Sequence, residues 1–396
     1  MKEQNSFFDD FDKSLVFHFY HCRMKIRHLI MILALGAKVC PLTAQSGYQF
    51  TVVKDNLHGK VEDQCQTGTC WSFATVSFLE AEVMRTRKGE RVDLSEMANA
   101  RYVYPQKAAS YVRYQGKQQF GPGALGHDVI NTMRDFGLVP ESAYSGFVNG
   151  ETEYNHNVLD TYLEKLTQTV VEKKLNEQGN DWMAGIESLL DTYIGPLPKE
   201  FVYNGKTYTP AAFRDYLGLK ANDYVMLTSF THHPYYSSFA VEVPDNWSKG
   251  YYYNLPLDEF QQVADHALNN GYTIAWDADV SEPGFSYKNN MAILPAEPLR
   301  KEEAFTKKHT EQAVTAEIRQ AGYDRFETTD DHLMHITGLA KDQDGALYYI
   351  TKNSWGEKNS AKGYQYVSSP YFRAKTICMI VHKDALPKEI AKKMNG

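Results

Sequence analysis

The sequence predicts an α+β protein in which helices come first and an antiparallel sheet comes last. Three observations carry this. Between Trp71 and Arg87 the apolar residues Phe73, Val76, Phe78, Leu79 and Val83 recur at helical spacing. Residues 150–270 are polar, rich in Lys, Glu and Tyr, and mostly helical in pattern. Short apolar runs then follow, "YTIAWDADV" (272–280), "HITGLAKDQDGALYYITKNSWG" (335–356), "KGYQYVSS" (362–369) and "KTICMIVHK" (375–383), with turn residues between them.

Composition sets the outer bounds. The 396 residues are 43% hydrophobic, enough for a large core in one domain or two lobes. The net charge of −7 offers no basic footprint for a phosphate backbone, so nucleic acid is excluded as an expected partner.

The first 44 residues stand apart. Arg23, Lys25, Arg27 and His28 precede the apolar run "LIMILALGA" (29–37), and "PLTA" leads into "QSGYQF". This is the layout of a secretory signal starting from Met24, with cleavage expected after Ala44 and a mature domain over 45–396. The run is too short to span a bilayer. Export to the periplasm or medium is the expectation; a retained N-terminal helix would leave the chain cytoplasmic.

In chain order, "GYQFTVVK" (47–54) alternates like a short strand, and a loop leads to a long helix that opens at Cys70. "DLSEM" (93–97) starts a second helix with Ser95 as its N-cap. "FGPGALGHDVINTMRDFGLVP" is a glycine-rich loop and a helix stopping at Gly137. Within the helical insertion at about 150–270, "YTPAAFRDYLG" and "PLDEFQQVADHALNNG" are the clearest segments. "DQDG" (342–345) lacks the full ligand set of a calcium loop and reads as a hairpin turn.

Removal of the leader would take Cys22 and Cys40 and leave Cys65, Cys70 and Cys378, an odd number that cannot all pair. Neither HExxH nor a second close Cys pair is present, so no metal or other cofactor is expected at these thiols. Cys378 sits in an apolar strand and reads as core. Cys70 is either a buried small residue or a nucleophile. A helix N-terminus lowers a thiol pKa through its backbone N–H dipoles, and an imidazole would complete the activation. Gln64, with Gly68 permitting a tight turn, could return its amide beside Cys70 as an oxyanion donor.

The histidine must come from far along the chain. "HLMHITGLA" supplies His332 and His335, and "YYITKNSWG" supplies Asn353 beside Trp355. An Asn oxygen can hold an imidazole in one tautomer, and a Trp over the pair excludes water. The two segments read as a hairpin that makes His335 and Asn353 cross-strand neighbours.

Q-x5-CW before a helix, a His at a strand start and "KNSWG" after the next strand resemble the papain-like cysteine peptidases. The long gap from Cys70 to the histidine, "YTPAAFRDYLG", the stretch 246–280 and the closing "VHKDALPKEIAKKM" look like the bleomycin hydrolase or aminopeptidase C branch. The resemblance implies a two-lobe papain-like fold, with Cys70 as nucleophile, His335 as general base and acid, Asn353 as orienting residue, and Gln64 with the Cys70 N–H as oxyanion donors. It places Gly123, Trp71 and Trp355 at the substrate-binding face and gives peptides as substrates. His335 is preferred to His332 because it directly precedes the apolar Ile336. Homo-oligomerisation is compatible with the resemblance; a membrane role beyond export is not implied.

The chain departs from that branch in three ways. Cys65 is out of register with the disulfide cysteine of secreted relatives and is expected to be free or structural. An export leader is unusual for a branch best known as cytosolic. The C-terminal arm that confines the branch to N-terminal residues looks nearly absent, which opens endopeptidase action as an alternative to aminopeptidase action. A non-catalytic peptide-binding protein would need a lesion in the Cys, His or Asn positions, and none is visible. Of the remaining residues, His232 and His233 read as exposed loop histidines rather than metal ligands. Asp277 and Asp279 could line a specificity pocket or bind a substrate amine, or belong to the surface, and Tyr251, Tyr252 and Tyr253 read as packing.

Overall fold

A computed structural model describes residues 47–300 and 303–395; the leader and its cleavage position lie outside the described residues. The chain runs β1 (Phe50–Asp55), α1 (Cys70–Thr86), α2 (Glu96–Arg113), α3 (Gly126–Asp135), α4 (Asn157–Glu172), α5 (Trp182–Tyr193), β2 (Phe201–Tyr203), β3 (Lys206–Tyr208) and α6 (Pro210–Leu217). It continues through β4 (Tyr224–Thr228), β5 (Ser238–Ala240), β6 (Tyr251–Asn254), α7 (Leu257–Asn269), β7 (Ile274–Ala278), β8 (Phe285–Ser286), β9 (Met291–Ala292) and α8 (Ala316–Asp324). The last part is β10 (His332–Asp342), β11 (Leu347–Lys352), β12 (Tyr364–Ser368), α9 (Ser369–Lys375), β13 (Thr376–His382) and α10 (Lys388–Asn395).

The helix starts follow side-chain chemistry. Ser95 Oγ accepts the Ala98 N–H at 3.0 Å and opens α2, as the sequence predicts. Thr209 does the same for α6, with Pro210 at the first helical position. α3 ends before Gly137, whose φ of 103° turns the chain. α1 differs from the one-sided stripe its periodicity suggests. Every residue from Trp71 to Met84 is buried, because α2 and α3 cover one side while β10 and β7 cover the other.

One mixed sheet, ordered β5-β6-β4-β13-β7-β10-β11-β12-β9-β8, forms the second half, with β1 also on β10. Thus β4 to β6 of the 150–270 stretch belong to this sheet. β10 holds the arrangement together: its first half pairs with β7, its second half with β1, and β11 runs along its other edge. The change of partner falls at Gly338, where any Cβ would overlap the Lys54 carbonyl. β1 does not present a single buried face, since Val52 and Val53 are both exposed. The "DQDG" segment is the expected turn between β10 and β11, with Asp342 Oδ1 accepting the N–H groups of Asp344 and Ala346.

Two main cores result. One lies among α1 to α6 and the sheet face carrying Leu333, Ile377 and Ile380. The other lies between the opposite sheet face and α7, α9 and α10. This separation of helical and sheet lobes is the α+β, papain-like two-lobe architecture. α10 docks on the second core through Ile390, and its Lys393 reaches Tyr236 and Glu259. Among the described residues no helix is long and apolar enough to cross a membrane.

Candidate active site

Cys70 is the first residue of α1, with the Ser72 and Phe73 N–H groups already turned back to the Thr69 carbonyl. It is half-buried and free, as is Cys65, whereas the free Cys378 is sealed in β13 as the sequence suggests. Burial pushes the Cys70 thiol up to about 12, and a hydrogen bond from the Leu333 backbone partly offsets this. Asp277, Asp245 and Asp330 add negative potential that also opposes the thiolate.

The loop before α1 is zipped to the segment after β11. Gln64 N–H donates to the Ser354 carbonyl at 2.8 Å, and Gly356 N–H donates to Glu62 O at 3.1 Å. Ser354 Oγ donates to Gln64 Oε1 at 2.6 Å, while Gln64 Nε2 donates to Thr67 O at 2.8 Å. Gln64 is therefore fixed between the Cys70 loop and the Asn353 turn, with one amide proton outside these bonds.

The histidine expected beside Asn353 is not the one found there. His332 Nε2 lies 2.8 Å from Asn353 Oδ1, and its ring stacks on Trp355 with centroids 4.6 Å apart. His335 instead pairs in register with Lys352, and its Nδ1 lies 2.7 Å from Ser77 Oγ in the interior of α1. The reason is strand geometry. The two histidines are three positions apart, with Leu333 and Met334 between them, so they project from opposite faces of β10. His335 lines a cavity of about 10 Å³ with Glu80, Glu96 and Lys352. Burial lowers the pKa of both rings, His332 to about 4 and His335 well below the usual imidazole value. The expectation of His335 beside Asn353 is thus corrected to His332.

Gln365 completes this cluster, and the sequence reading missed it. Asn353 Nδ2 donates to Gln365 Oε1 at 2.8 Å, and Gln365 is wholly buried on β12. "KGYQYVSS" contains one polar side chain flanked by tyrosines in a predicted strand, which was the available signal.

The glycine-rich loop packs beside the start of α1, with Pro122 against Gly68. Lys107 Nζ donates to the Gly123 carbonyl, and the Asp245 carboxylate occupies the space a Gly123 side chain would need. Trp71 is fully buried and its Nε1 donates to Pro122 O at 3.0 Å. Trp71 therefore braces the Gly123 loop from below instead of facing a substrate. Trp355, half-buried, covers His332. Asp277 is buried against Cys378, its Oδ2 3.4 Å from Sγ, and is pushed well above the usual carboxylate range by burial. Asp330, beside Asp245 and Asp277, is pushed to about 7. Asp279 is not a pocket residue: it accepts from Ser281 and pairs with Lys375 at 3.3 Å. Tyr252 packs in the core with its hydroxyl 2.8 Å from His127 Nδ1, while Tyr251 is exposed.

Comparison with known proteins identifies the family and the fold. Residues 123–396 match the Peptidase C1-like family, and residues 50–99 match the papain family cysteine protease model. Aminopeptidase C of Streptococcus thermophilus is 25% identical over 380 residues, covering 83% of this chain and 82% of that protein. Aminopeptidase G of Lactobacillus delbrueckii subsp. lactis is 22% identical over 375 residues, with coverage of 83% and 82%. The crystal structure of PepW from Lactobacillus rhamnosis HN001 superposes with a TM-score of 0.66 at 21% identity, covering 87% of this chain and 84% of that one, and so shares the fold. The chain belongs to the Peptidase C1-like family and is a cysteine peptidase of the papain-like superfamily, related to aminopeptidase C and bleomycin hydrolase.

Proposed function

We propose that the protein hydrolyses peptides through Cys70, His332 and Asn353, by way of an acyl-enzyme. The observation that carries this reading is the hydrogen bond from His332 Nε2 to Asn353 under Trp355, which fixes the ring with Nδ1 outside that bond. Burial disfavours a lone thiolate and a lone imidazolium alike. Transfer of the Cys70 proton to His332 forms both charges together, where each neutralises the other. The thiolate then attacks the peptide carbonyl carbon, forming a C–S bond. The Cys70 N–H and Gln64 Nε2 stabilise the oxyanion. His332 passes its proton to the departing amine as the C–N bond breaks, leaving a thioester. Water, deprotonated by His332, attacks the thioester carbonyl; the C–S bond breaks, the acid leaves, and Cys70 regains its thiol.

Aminopeptidase action is the favoured mode, since the similar proteins named above are aminopeptidases. The second mode is internal cleavage of the substrate chain. One peptide supplied with a free and with an acetylated amino terminus separates the modes. Removal of only the first residue, from the free form alone, is the aminopeptidase result. Internal cleavage of both forms indicates the open cleft, and absence of any cleavage lost in Cys70→Ala overturns the peptidase reading.

A further inference from the structure

Away from Cys70, the loop between β4 and β5 and the segment after β5 converge on a second cluster. His232, His233 and Glu242 each offer a ligand atom, and these atoms all lie within 4.8 Å of one another. His232 Nε2 is 3.1 Å from one Glu242 oxygen, and His233 Nε2 is 2.7 Å from the other. Two imidazoles and one carboxylate at these separations need little movement to surround an ion at about 2.0–2.2 Å from each ligand.

The rings are not loose loop side chains. His233 stacks on Phe239 with centroids 4.0 Å apart, and His232 lies parallel to Tyr323 at 5.7 Å. The backbone that carries them is pinned by the buried Asn254, whose Nδ2 donates to the carbonyls of Phe230, His233 and Pro234. Behind His232, Gln320 presents its oxygen at 3.3 Å and its nitrogen at 3.0 Å to Nδ1. The oxygen can take an Nδ1 proton, which leaves the Nε2 lone pair free for a metal and is the usual outer support of a ligating histidine. Tyr323 Oη donates to the Glu242 carbonyl and fixes the third ligand's backbone.

We propose that His232, His233 and Glu242 form a binding site for a divalent transition cation such as zinc, nickel or cobalt. The donor set selects this class. Imidazoles suit zinc, cobalt and nickel, whereas calcium and magnesium prefer all-oxygen shells. All three residues keep part of their side chains exposed, so an ion can arrive from solvent and retain water in its remaining positions. Asp245, whose carboxylate packs over Gly123, follows Glu242 by three residues. The ion therefore ties the loop after β4 to the segment that packs over the Gly123 loop.

The test is Co²⁺ titration of the full chain carrying Cys70→Ser, which removes the thiol nearest the cleft as a competing ligand. Visible d–d absorption is followed, and Zn²⁺ is used to displace the cobalt. Stoichiometric binding without a thiolate charge-transfer band is the expected result, with at least a tenfold loss of affinity in His233→Asn and in Glu242→Gln. Glu242→Gln keeps shape and a hydrogen-bonding oxygen, and circular dichroism of both variants verifies the fold. Binding unchanged in both folded variants, a thiolate band, or no binding at millimolar Co²⁺ overturns the proposal.

Discussion

His332 Nε2 stands 2.8 Å from Asn353 Oδ1, while His335, one strand turn away, is sealed against Ser77. That relationship divides the two histidines of "HLMHI" into a ring held by Asn353 under Trp355 and a ring packed against α1.

The first consequence concerns how Asn353 is held. Its Nδ2 donates to the buried Gln365, so Gln365 is a positioning residue acting through Asn353. Asn353→Ala is expected to lower kcat about 10–100-fold with little change in KM, since a misplaced ring is costly even when substrate still binds. Gln365→Met should lower kcat less, and the alkylation rate of Cys70 should fall in parallel. Steady-state kinetics with one peptide checks both.

His335 has a structural role with its own signature. His335→Ala is expected to cost about 2–4 kcal/mol, from the lost Ser77 bond and the cavity left behind. Burial lowers the folded-state pKa of His335, so below the usual imidazole value near 6.5 the unfolded chain binds the extra proton. That contribution to stability is complete above pH 6.5 and is lost as pH falls toward the lower folded value. Denaturant melts at pH 7 and pH 5 should show a smaller acid loss in the variant than in the parent.

Gly123 and Asp245 form a matched pair. Gly123→Ala places a methyl group where the Asp245 carboxylate sits, so Asp245 must move or the loop must open. A rise in KM of about tenfold is expected, on the order of 1.4 kcal/mol of binding. Asp245→Ala in the same chain should restore the folding stability lost in Gly123→Ala, because the overlap disappears. Thermal melts of the two single variants and the double variant measure that coupling.

Cys70 reactivity should reveal the pairing through its pH dependence. Without a partner, burial places the thiol above the ordinary range and alkylation should appear only in alkaline solution. With His332 accepting the proton, alkylation by iodoacetamide should already be fast below pH 7. In His332→Ala the midpoint should move up by several pH units.

Much of this was legible in the sequence. The helix opening at Cys70, the Ser95 cap and the β10–β11 hairpin with its "DQDG" turn follow from local spacing and turn chemistry. The choice between His332 and His335 was missed because both histidines border apolar residues. The useful signal was that Asp330 and Asp331 end the polar loop, which makes His332 the first strand residue and leaves His335 enclosed between Met334 and Ile336. Trp71 was misplaced because periodicity does not show that α1 is covered on all sides. The His232, His233 and Glu242 cluster depends on a return of the chain through β5, which spacing alone cannot supply.

The most direct measurement is peptide hydrolysis by His332→Ala and His335→Ala side by side, with folding of each verified by circular dichroism. The account predicts that His332→Ala loses at least about 100-fold in kcat/KM while folded His335→Ala stays within about tenfold of the parent. Near-parental activity in His332→Ala, with the loss appearing in folded His335→Ala, would contradict it.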